Sequence, residues 1–233
     1  MVISQGVKYH DQLAEKWDEN YSRKSFIRRL DCFNLILDHS VIPGQCWLDL
    51  GCGSGNLSLQ LIKRGASVVA LDGSPSMLLA ARRSLDKNSS LISFREGDVL
   101  DLSWSLPSAF DGVLCSSVIE YVENANELIK EVSRVLKSEG LFIISVPPKN
   151  SLVRGFQKII RTFFKFLGED KYAYLEVSRF EIAPSVVADW LQKAHFRLSS
   201  ISGFDPILPA FLFKIFRPAL LICVAKKFTN NSN

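Results

Sequence analysis

Four residues at the end of a short apolar run have the types and spacing of a ligand-binding turn: Asp49, Gly51, Gly53 and Gly55. The run itself, residues 46–50, predicts a β-strand, and the amphipathic pattern that follows predicts a helix. Because glycine has no Cβ, a strand-to-helix turn built from it lets a ligand approach the main chain closely. The spacing G-x-G-x-G differs from the G-x-G-x-x-G of dinucleotide-binding proteins, and a tight turn without a ligand is the alternative.

Two further carboxylates follow the next two predicted strands. Asp72 ends the run 67–72, where a carboxylate can accept hydrogen bonds from both hydroxyl groups of a ribose. Asp98 follows the run 91–96 and can accept a hydrogen bond from an exocyclic amine, while Val99 offers an apolar surface beside it. Parallel strands end at one edge of a sheet, so these residues and the glycine turn together predict an adenosine site. No cation that would suit a pyrophosphate is evident among them.

The elements that position these residues alternate along the chain. The β-prone runs are residues 46–50, 67–72, 91–96, 110–116, 140–146, 196–201 and 219–227. Helical patterns separate most of these runs, and the clearest, residues 126–140, carries Leu128, Ile129, Val132 and Val135 on one face before the stop signal Gly140. Strands and helices in alternation predict βαβ units and a mostly parallel sheet.

Length and composition favour one α/β domain in a chain of 233 residues. Its predicted parts are a helical cap at 1–45, a ligand-binding core at 46–146, an insertion at 147–182, and a final helix with strands at 183–228. A net charge of +4 is too mild to indicate nucleic acid. The five cysteines form no C-x-x-C pair, which favours a reducing, cytoplasmic compartment and no metal site. No secretory leader or membrane-spanning segment is predicted.

The combination of "LDLGCGSG", the strand-end Asp72 and "GDV" resembles class I S-adenosylmethionine-dependent methyltransferases over residues 46–146. The resemblance implies a Rossmann-like fold with helices on both faces of a seven-stranded, mostly parallel sheet whose last strand is antiparallel. It implies S-adenosylmethionine as the cofactor, with the three glycines around its amino-acid portion and Asp72 at the ribose. Asp98 and Val99 would meet the adenine, and Met77 is expected either near the adenine ring or in the core. The predicted cofactor-binding set also contains Asp49, Gly73 and Ser116.

Three segments outside the core resemble the O-methyltransferases of ubiquinone biosynthesis, which act on polyprenylated phenols. These segments are "FIRRLDCFNLIL", "VIEYVEN" and the long insertion. In that group an arginine in "RLD" helps to bind the cofactor carboxylate, and it corresponds to Arg29. The group carries Glu-His where this chain has Glu120 and Tyr121, and tyrosine is a poor general base at neutral pH. Three residues are still candidates for a catalytic role. They are Glu120, Tyr121 and His195, and the last of these precedes the sixth strand.

The expected reaction is methyl transfer to an oxygen of a small, lipophilic metabolite. "CSSVIEYVEN" after the fourth strand lacks the polar-proline-aromatic motif of enzymes that methylate the amino groups of bases, and no Pro-Cys motif is present, so nucleic acid is not the expected partner. Two alternatives stay open: an N-methyltransferase of a small amine, and a non-catalytic subunit that binds the cofactor. The oligomeric state also stays open.

The insertion contains an amphipathic helical pattern at 151–167. Its basic residues Arg154, Lys158, Arg161 and Lys165 fall on one narrow stripe, opposite an apolar side rich in phenylalanine. This pattern predicts a helix that lies on an anionic membrane with its charges toward the headgroups. A lid over the active site is an alternative that is compatible with it. The residues expected to shape the acceptor pocket are Tyr9, Trp17, Tyr21, Phe156 and Phe163.

Overall fold

The computed structural model describes residues 5–21, 23–88, 90–166, 174–178 and 181–228, without the side chains at 15–21, 88, 174, 177 and 214. The strands are β1 Cys46–Leu50, β2 Ser67–Asp72, β3 Ile92–Glu96, β4 Phe110–Cys115, β5 Leu136–Val146, β6 Phe196–Phe204 and β7 Leu220–Lys227. The helices are α1 Gln5–Tyr21, α2 Lys24–Asp38, α3 Asn56–Lys63, α4 Pro75–Leu85, α5 Ala125–Val135, α6 Leu152–Phe166, α7 Tyr174–Val177 and α8 Pro184–Lys193.

The strands form a seven-stranded sheet in the order β3-β2-β1-β4-β5-β7-β6. The pairs from β3 to β5 are parallel, whereas β7 runs antiparallel to both β5 and β6. The predicted fold and its antiparallel last strand are therefore confirmed. The strand order reverses between β1 and β4, and ligands of open α/β sheets bind at such a point, beyond the carboxyl ends of the strands.

Successive residues of each strand enter different hydrophobic clusters on the two faces of the sheet. Leu48 and Leu50 of β1 belong to the cluster completed by α5 and α8, whereas Trp47 belongs to the cluster completed by α2, α3 and α4. A Cβ added at Gly112 on β4 would collide with the indole of Trp47. This alternation determines which side chains of β1 point to each face of the sheet. Both faces are covered by helices, so the residues after the strand ends are the ones that can form a site.

Local capping explains where two of these helices begin. Ser74 precedes α4 and accepts a hydrogen bond from the backbone N–H of Met77, and Asn124 precedes α5 and accepts from two backbone N–H groups. The predicted helix 126–140 ends early, at Val135, because the chain enters β5 at Leu136. Gly140 therefore lies in a strand, where the register of β5 against β4 shifts by a bulge.

Among the described residues, no helix is both long and apolar enough to cross a membrane.

Candidate functional site

The glycine turn connects the carboxyl end of β1 to α3. Gly51, Gly53 and Gly55 have φ values of 67°, 53° and 81°, the left-handed region in which side chains cost energy. Gly55 is the residue that precedes the first turn of α3. A Cβ added at Gly51 would collide with Val118 in the loop after β4. The turn is thus folded tightly against its neighbour, and its backbone lies at the switch point of the sheet.

Asp72 joins this turn to the end of β2. Its Oδ2 accepts the backbone N–H of Gly53 at 2.8 Å, and its Oδ1 accepts that of Ser74 at 2.9 Å. Burial raises the pKa of Asp72, and these two hydrogen bonds act against that rise. A carboxylate has about four lone-pair sites, so Asp72 retains capacity to accept a ribose hydroxyl group. The residues at this point fit the cofactor that the glycine turn indicates.

Asp49 lies beneath the turn. Its Oδ2 accepts a hydrogen bond from the hydroxyl of Ser58 on α3 at 2.6 Å. Burial, reinforced by the charge of Asp72, raises the pKa of Asp49 to about 7, although the bond from Ser58 acts against it. The arrangement ties β1 to α3 from below, so Asp49 supports the turn.

Arg29 of α2 reaches the carboxyl end of β4. One guanidinium nitrogen, Nη2, donates to the hydroxyl oxygens of Ser116 at 2.6 Å and Ser117 at 2.9 Å. Ser117 has a φ of 55°, and its N–H donates to Ser145 Oγ at the end of β5 at 2.8 Å. A cation and two hydroxyl groups therefore lie on the opposite side of the glycine turn from Asp72. That spacing suits a ligand with a ribose at one end and a carboxylate at the other.

The N-terminal turns of α1 cross the site from β4 to β2. A Cβ added at Gly6 would lie 2.9 Å from Tyr121 Cβ, and one added at Gly73 would lie 2.9 Å from Val7. Further along the same face, Asp11 accepts hydrogen bonds from Ser74 Oγ at 2.6 Å and from the backbone N–H of Ser76 at 3.2 Å. The contact fixes α1 to the first turn of α4.

His10 lies on this face of α1 and was missed as a site residue by the sequence reasoning. Its ring stands edge-to-face against Tyr9 at 5.2 Å and Tyr121 at 5.0 Å between centroids. Burial lowers the pKa of His10, while a hydrogen bond with the Gly6 carbonyl and the charge of Asp72 act to raise it. A sequence pattern that could have indicated His10 was present, because residues 6, 7, 10 and 11 share one face at helical spacing. The pattern does not say what that face meets.

Glu120 lies in a one-turn 3-10 helix after β4 and is 4% exposed. Its Oε2 has no hydrogen-bond partner among the described residues. Burial raises the pKa of Glu120, and the positive charges of Arg154 and Arg29 act against this rise. A buried carboxyl oxygen without a partner is costly, so this position suits a polar group of a ligand.

The residues predicted to meet the adenine differ in their burial. Asp98 is exposed, and its Oδ1 accepts the backbone N–H of Leu100 at 2.9 Å. Val99 is half-buried against the cluster shared with α5, and Met77 is fully buried in the first turns of α4. All three follow the ends of β2 or β3, on the side of Asp72. Their contact with adenine stays a prediction.

Several predicted residues are not brought to this edge. β6 runs in the same direction as β5, so His195, which precedes it, lies at the opposite edge of the sheet with a φ of 64°. This position removes His195 from the catalytic candidates. Phe156 and Phe163 are exposed on the outer side of α6, and their contact with an acceptor stays a prediction. The side chains of Trp17 and Tyr21 lie outside the described part of the chain.

On α6 the apolar side is exposed, and the basic stripe pairs with carboxylates that follow the helix in the chain. Arg154 is 6% exposed, and its guanidinium nitrogens lie 3.5 Å from Glu181 Oε1 and 3.3 Å from Ser178 Oγ. Lys158 pairs with the same carboxylate at 2.7 Å. The other two basic residues of the stripe, Arg161 and Lys165, pair with Glu176 at 2.6 and 3.4 Å. Lys158 and Lys165 stay 55% and 62% exposed while they pair, so contact of the stripe with headgroups stays a prediction.

Among the residues that the structure describes, no group of three His, Cys, Asp or Glu side chains is placed to hold a metal ion.

Comparisons with known proteins agree with this geometry. A family model described as a methyltransferase domain matches residues 48–144. The chain is 29% identical over 194 residues to the ubiquinone biosynthesis O-methyltransferase of Xanthomonas campestris pv. campestris (strain B100), covering 82% of this chain and 80% of that protein. It is 28% identical over 211 residues to the enzyme of the same name from Hahella chejuensis, covering 87% and 85%.

One solved structure shows the likeness of the fold over nearly the whole chain. Magnesium protoporphyrin IX methyltransferase from Synechocystis, with bound S-adenosylhomocysteine, superposes with a TM-score of 0.70 over 95% of this chain and 97% of that one, at 18% identity. The matched family model covers the glycine turn, Asp72 and the strands that carry them. Residues 48–144 therefore form a methyltransferase domain that uses S-adenosylmethionine, and the chain is similar to the ubiquinone biosynthesis O-methyltransferases.

Proposed function

We propose that this enzyme transfers a methyl group to an oxygen of a small, lipophilic acceptor that it takes from a membrane surface. The observation that carries the proposal is the exposed apolar face of α6, since the cations of that helix pair with Glu181 and Glu176 on its other side. The names of the similar enzymes favour oxygen as the methylated atom. We also propose that the chain acts as a single domain in the cytoplasm, in peripheral contact with the membrane.

In this proposal the bound cofactor supplies a methyl group already activated by a positively charged sulfur, so alignment supplies much of the catalysis. Asp72 accepts from the ribose hydroxyl groups, while Arg29 with Ser116 binds the carboxylate of the amino-acid portion. Backbone groups of the glycine turn meet the same portion. Asp98 and Val99 stand at the adenine. The buried Oε2 of Glu120 meets a polar group of the acceptor.

The outer face of α6 has the composition of a lipid-contacting surface. Five apolar side chains along it are between 55% and 89% exposed, namely Leu152, Phe156, Ile159, Phe163 and Phe166. A second exposed apolar group comes from the loop and 3-10 helix before β7, with Ile207, Phe211 and Ile215. Arg217 joins the two segments by donating to the Lys149 carbonyl oxygen at 3.1 Å. Contiguous apolar exposure of this kind marks an interaction surface.

The ion pairs of the basic stripe determine which interactions would hold the protein to lipid. Burying one large apolar side chain completely gains about 1.5–3 kcal/mol, so each half-exposed residue of α6 gains roughly 1–2 kcal/mol on entering the interface. The basic stripe contributes less than a free one, because Glu181 and Glu176 offset two of its four positive charges. Binding should therefore depend mainly on apolar area and persist at high salt.

The acceptor class is tested with labelled S-adenosylmethionine and matched sets of phenols, quinols, carboxylates and amines, each with and without an alkyl chain. We expect label in phenols or quinols, with the alkylated members preferred by at least about tenfold, since each buried CH₂ gains about 0.8 kcal/mol. Transfer to amines alone would support the N-methyltransferase alternative. Cofactor binding without transfer to any acceptor would support the non-catalytic one.

The membrane contact is tested by vesicle co-sedimentation of the Phe163→Ser and Ile159→Ser variants. Both should bind at least about fivefold more weakly than wild type, because each loses roughly 1 kcal/mol or more of apolar transfer. Leu35→Ser on α2 is the matched control, since Leu35 is equally exposed but lies on another helix. Turnover of a water-soluble acceptor should stay near that of wild type in all three. Wild-type protein that remains in the supernatant with anionic vesicles would end the membrane proposal.

A further inference from the structure

One imidazole lies over the middle of the site. The first three turns of α1 make contacts on both sides of the site. Gly6 lies against Tyr121 after β4, and Val7 lies against Gly73 after β2. His10 follows on the same helical face, with its ring 5.0 Å from that of Tyr121. The negative charge of Asp72 after β2 also acts to raise the pKa of His10.

This position lies between the two ends of the cofactor. Asp72 marks the ribose, and Arg29 with Ser116 marks the carboxylate of the amino-acid portion. The sulfur that carries the reactive methyl group connects these two portions in S-adenosylmethionine. Because α1 contacts the loop after β4 and the residue after β2, we expect His10 on this face to stand close to that methyl group.

The contacts of the ring also indicate its protonation state. Nδ1 lies 2.7 Å from the carbonyl oxygen of Gly6, which can only accept, so Nδ1 is the nitrogen that carries hydrogen. In the neutral ring Nε2 is then the basic nitrogen. Burial lowers the pKa of His10, so the neutral form prevails at physiological pH. A neutral imidazole beside a cationic cofactor also avoids the repulsion between like charges.

We propose that His10 is the general base that removes the proton from the acceptor hydroxyl during methyl transfer. The O–H bond breaks and its proton goes to Nε2, while the oxygen electron pair forms the new O–CH₃ bond. The C–S bond breaks with its electrons on sulfur, which leaves a neutral thioether, and the imidazolium later gives its proton to water. This role rests on the proposed function, since it requires an oxygen acceptor.

The groups around His10 suit this proton transfer better than the other candidates do. Asp72 faces the ring from β2, Tyr121 from the loop after β4, and Tyr9 and Asp11 lie beside it on α1. The negative charge of Asp72 stabilises the imidazolium that forms. A tyrosine side chain has a reference pKa of about 10, so it keeps its proton at neutral pH and is a poor general base there. Glu120 is the remaining competitor.

The test compares wild type with His10→Asn, whose amide can keep the bond to the Gly6 carbonyl but cannot accept a proton. With a phenol of ordinary pKa, His10→Asn should lower kcat about 10²–10³-fold at neutral pH, the usual contribution of a general base. With a nitrophenol that is already ionised, the loss should fall below about tenfold. In wild type, kcat/KM should drop as pH falls through the His10 pKa, and this limb should vanish in the variant. His39→Asn, at an exposed histidine, is the matched control.

A measurement that needs no turnover accompanies the kinetics. The three histidines of the chain can be followed by NMR, with the His10 resonance assigned from its loss in His10→Asn. S-adenosylhomocysteine should shift the His10 signal and leave those of His39 and His195 in place. A His10 signal that does not respond would overturn the proposal whatever the activity.

The kinetic outcomes separate this proposal from the proposed function. Equal losses with the ordinary and the ionised phenol would mean that His10 has only a structural role. Loss of the acidic limb in Glu120→Gln, but not in His10→Asn, would make Glu120 the base. Methylation of amines alone would overturn the proposed function and with it this role of His10. Unchanged rates in His10→Asn with an active wild type would overturn only the role of His10.

Discussion

Replacing Asp49 with asparagine should stabilise the cofactor-free protein, and the gain should depend on pH. Asp49 is fully enclosed beneath the glycine turn, where the hydroxyl of Ser58 donates to it at 2.6 Å. Burial and the neighbouring charge of Asp72 raise the pKa of Asp49 from 3.8 to about 7. Asparagine has nearly the same shape, and its oxygen can still accept from Ser58, but it carries no charge that must be buried.

The direction and size of the effect follow from the difference between the folded and unfolded pKa values. Between pH 4 and 7 the folded protein holds a proton on Asp49 that the unfolded chain has released, so the free energy of unfolding falls as pH rises through this window. Each pKa unit corresponds to about 1.4 kcal/mol, so a difference of about 3 sets a ceiling of roughly 4 kcal/mol. The whole effect is present above pH 7, and it disappears below pH 4.

Urea denaturation of wild type and Asp49→Asn between pH 3.5 and 8.5 measures this difference directly. The stability advantage of the variant should grow through the window and then level off. Asp111→Asn is the matched control, because its effect on the free energy of unfolding should have the opposite sign. Burial acts to raise the pKa of Asp111, but the hydrogen bonds from the Cys46 N–H and from Lys137 outweigh it and lower that pKa. Asp111 therefore stabilises the protein above pH 4, and this advantage of wild type is lost as pH falls. A constant offset between wild type and Asp49→Asn across all pH values would refute the reasoning.

Two further predictions concern the cofactor and are read by calorimetry with S-adenosylhomocysteine. Asp72→Ala should bind at least tenfold more weakly, because it loses charge-assisted bonds worth roughly 1.5–3 kcal/mol each, both to the ribose and to the Gly53 N–H; unchanged affinity in a folded variant would remove Asp72 from the site. Gly53→Ala and Gly44→Ala should both lose about 1–2 kcal/mol of stability, because both glycines have positive φ. Only Gly53→Ala should weaken cofactor binding, and equal affinities in the two variants would contradict the placement of the turn.

The amino-acid sequence was sufficient to predict the sheet and to place the glycine turn, Asp72 and Asp98 at one edge of it. Strands and turns are specified by local patterns, so the seven β-prone runs and the glycine turn after β1 could be located without the structure. The positions of Asp72 and Asp98 followed, because parallel strands end at a common edge. Arg29 was predicted only through a resemblance, and the structure brings it to Ser116 at 2.6 Å across 87 residues of chain.

Other features were decided only by tertiary packing. The spacing of residues 6, 7, 10 and 11 shows that α1 has a common face, but its contact with Tyr121 and Gly73 joins segments far apart in sequence. The sequence correctly places His195 just before a strand. Only the order and direction of the strands show that it lies at the edge away from the site.

The orientation of α6 shows the same limit most clearly. The sequence determined that this helix has a basic stripe and an apolar side, because helical periodicity fixes which residues share a face. Periodicity does not determine which face turns inward. That choice depended on Glu176 and Glu181, which lie beyond the end of the helix and reach Arg161 and Lys158 only in the folded chain. Pairing these carboxylates with the stripe satisfies its charges at the protein surface, and the apolar side is left facing outward.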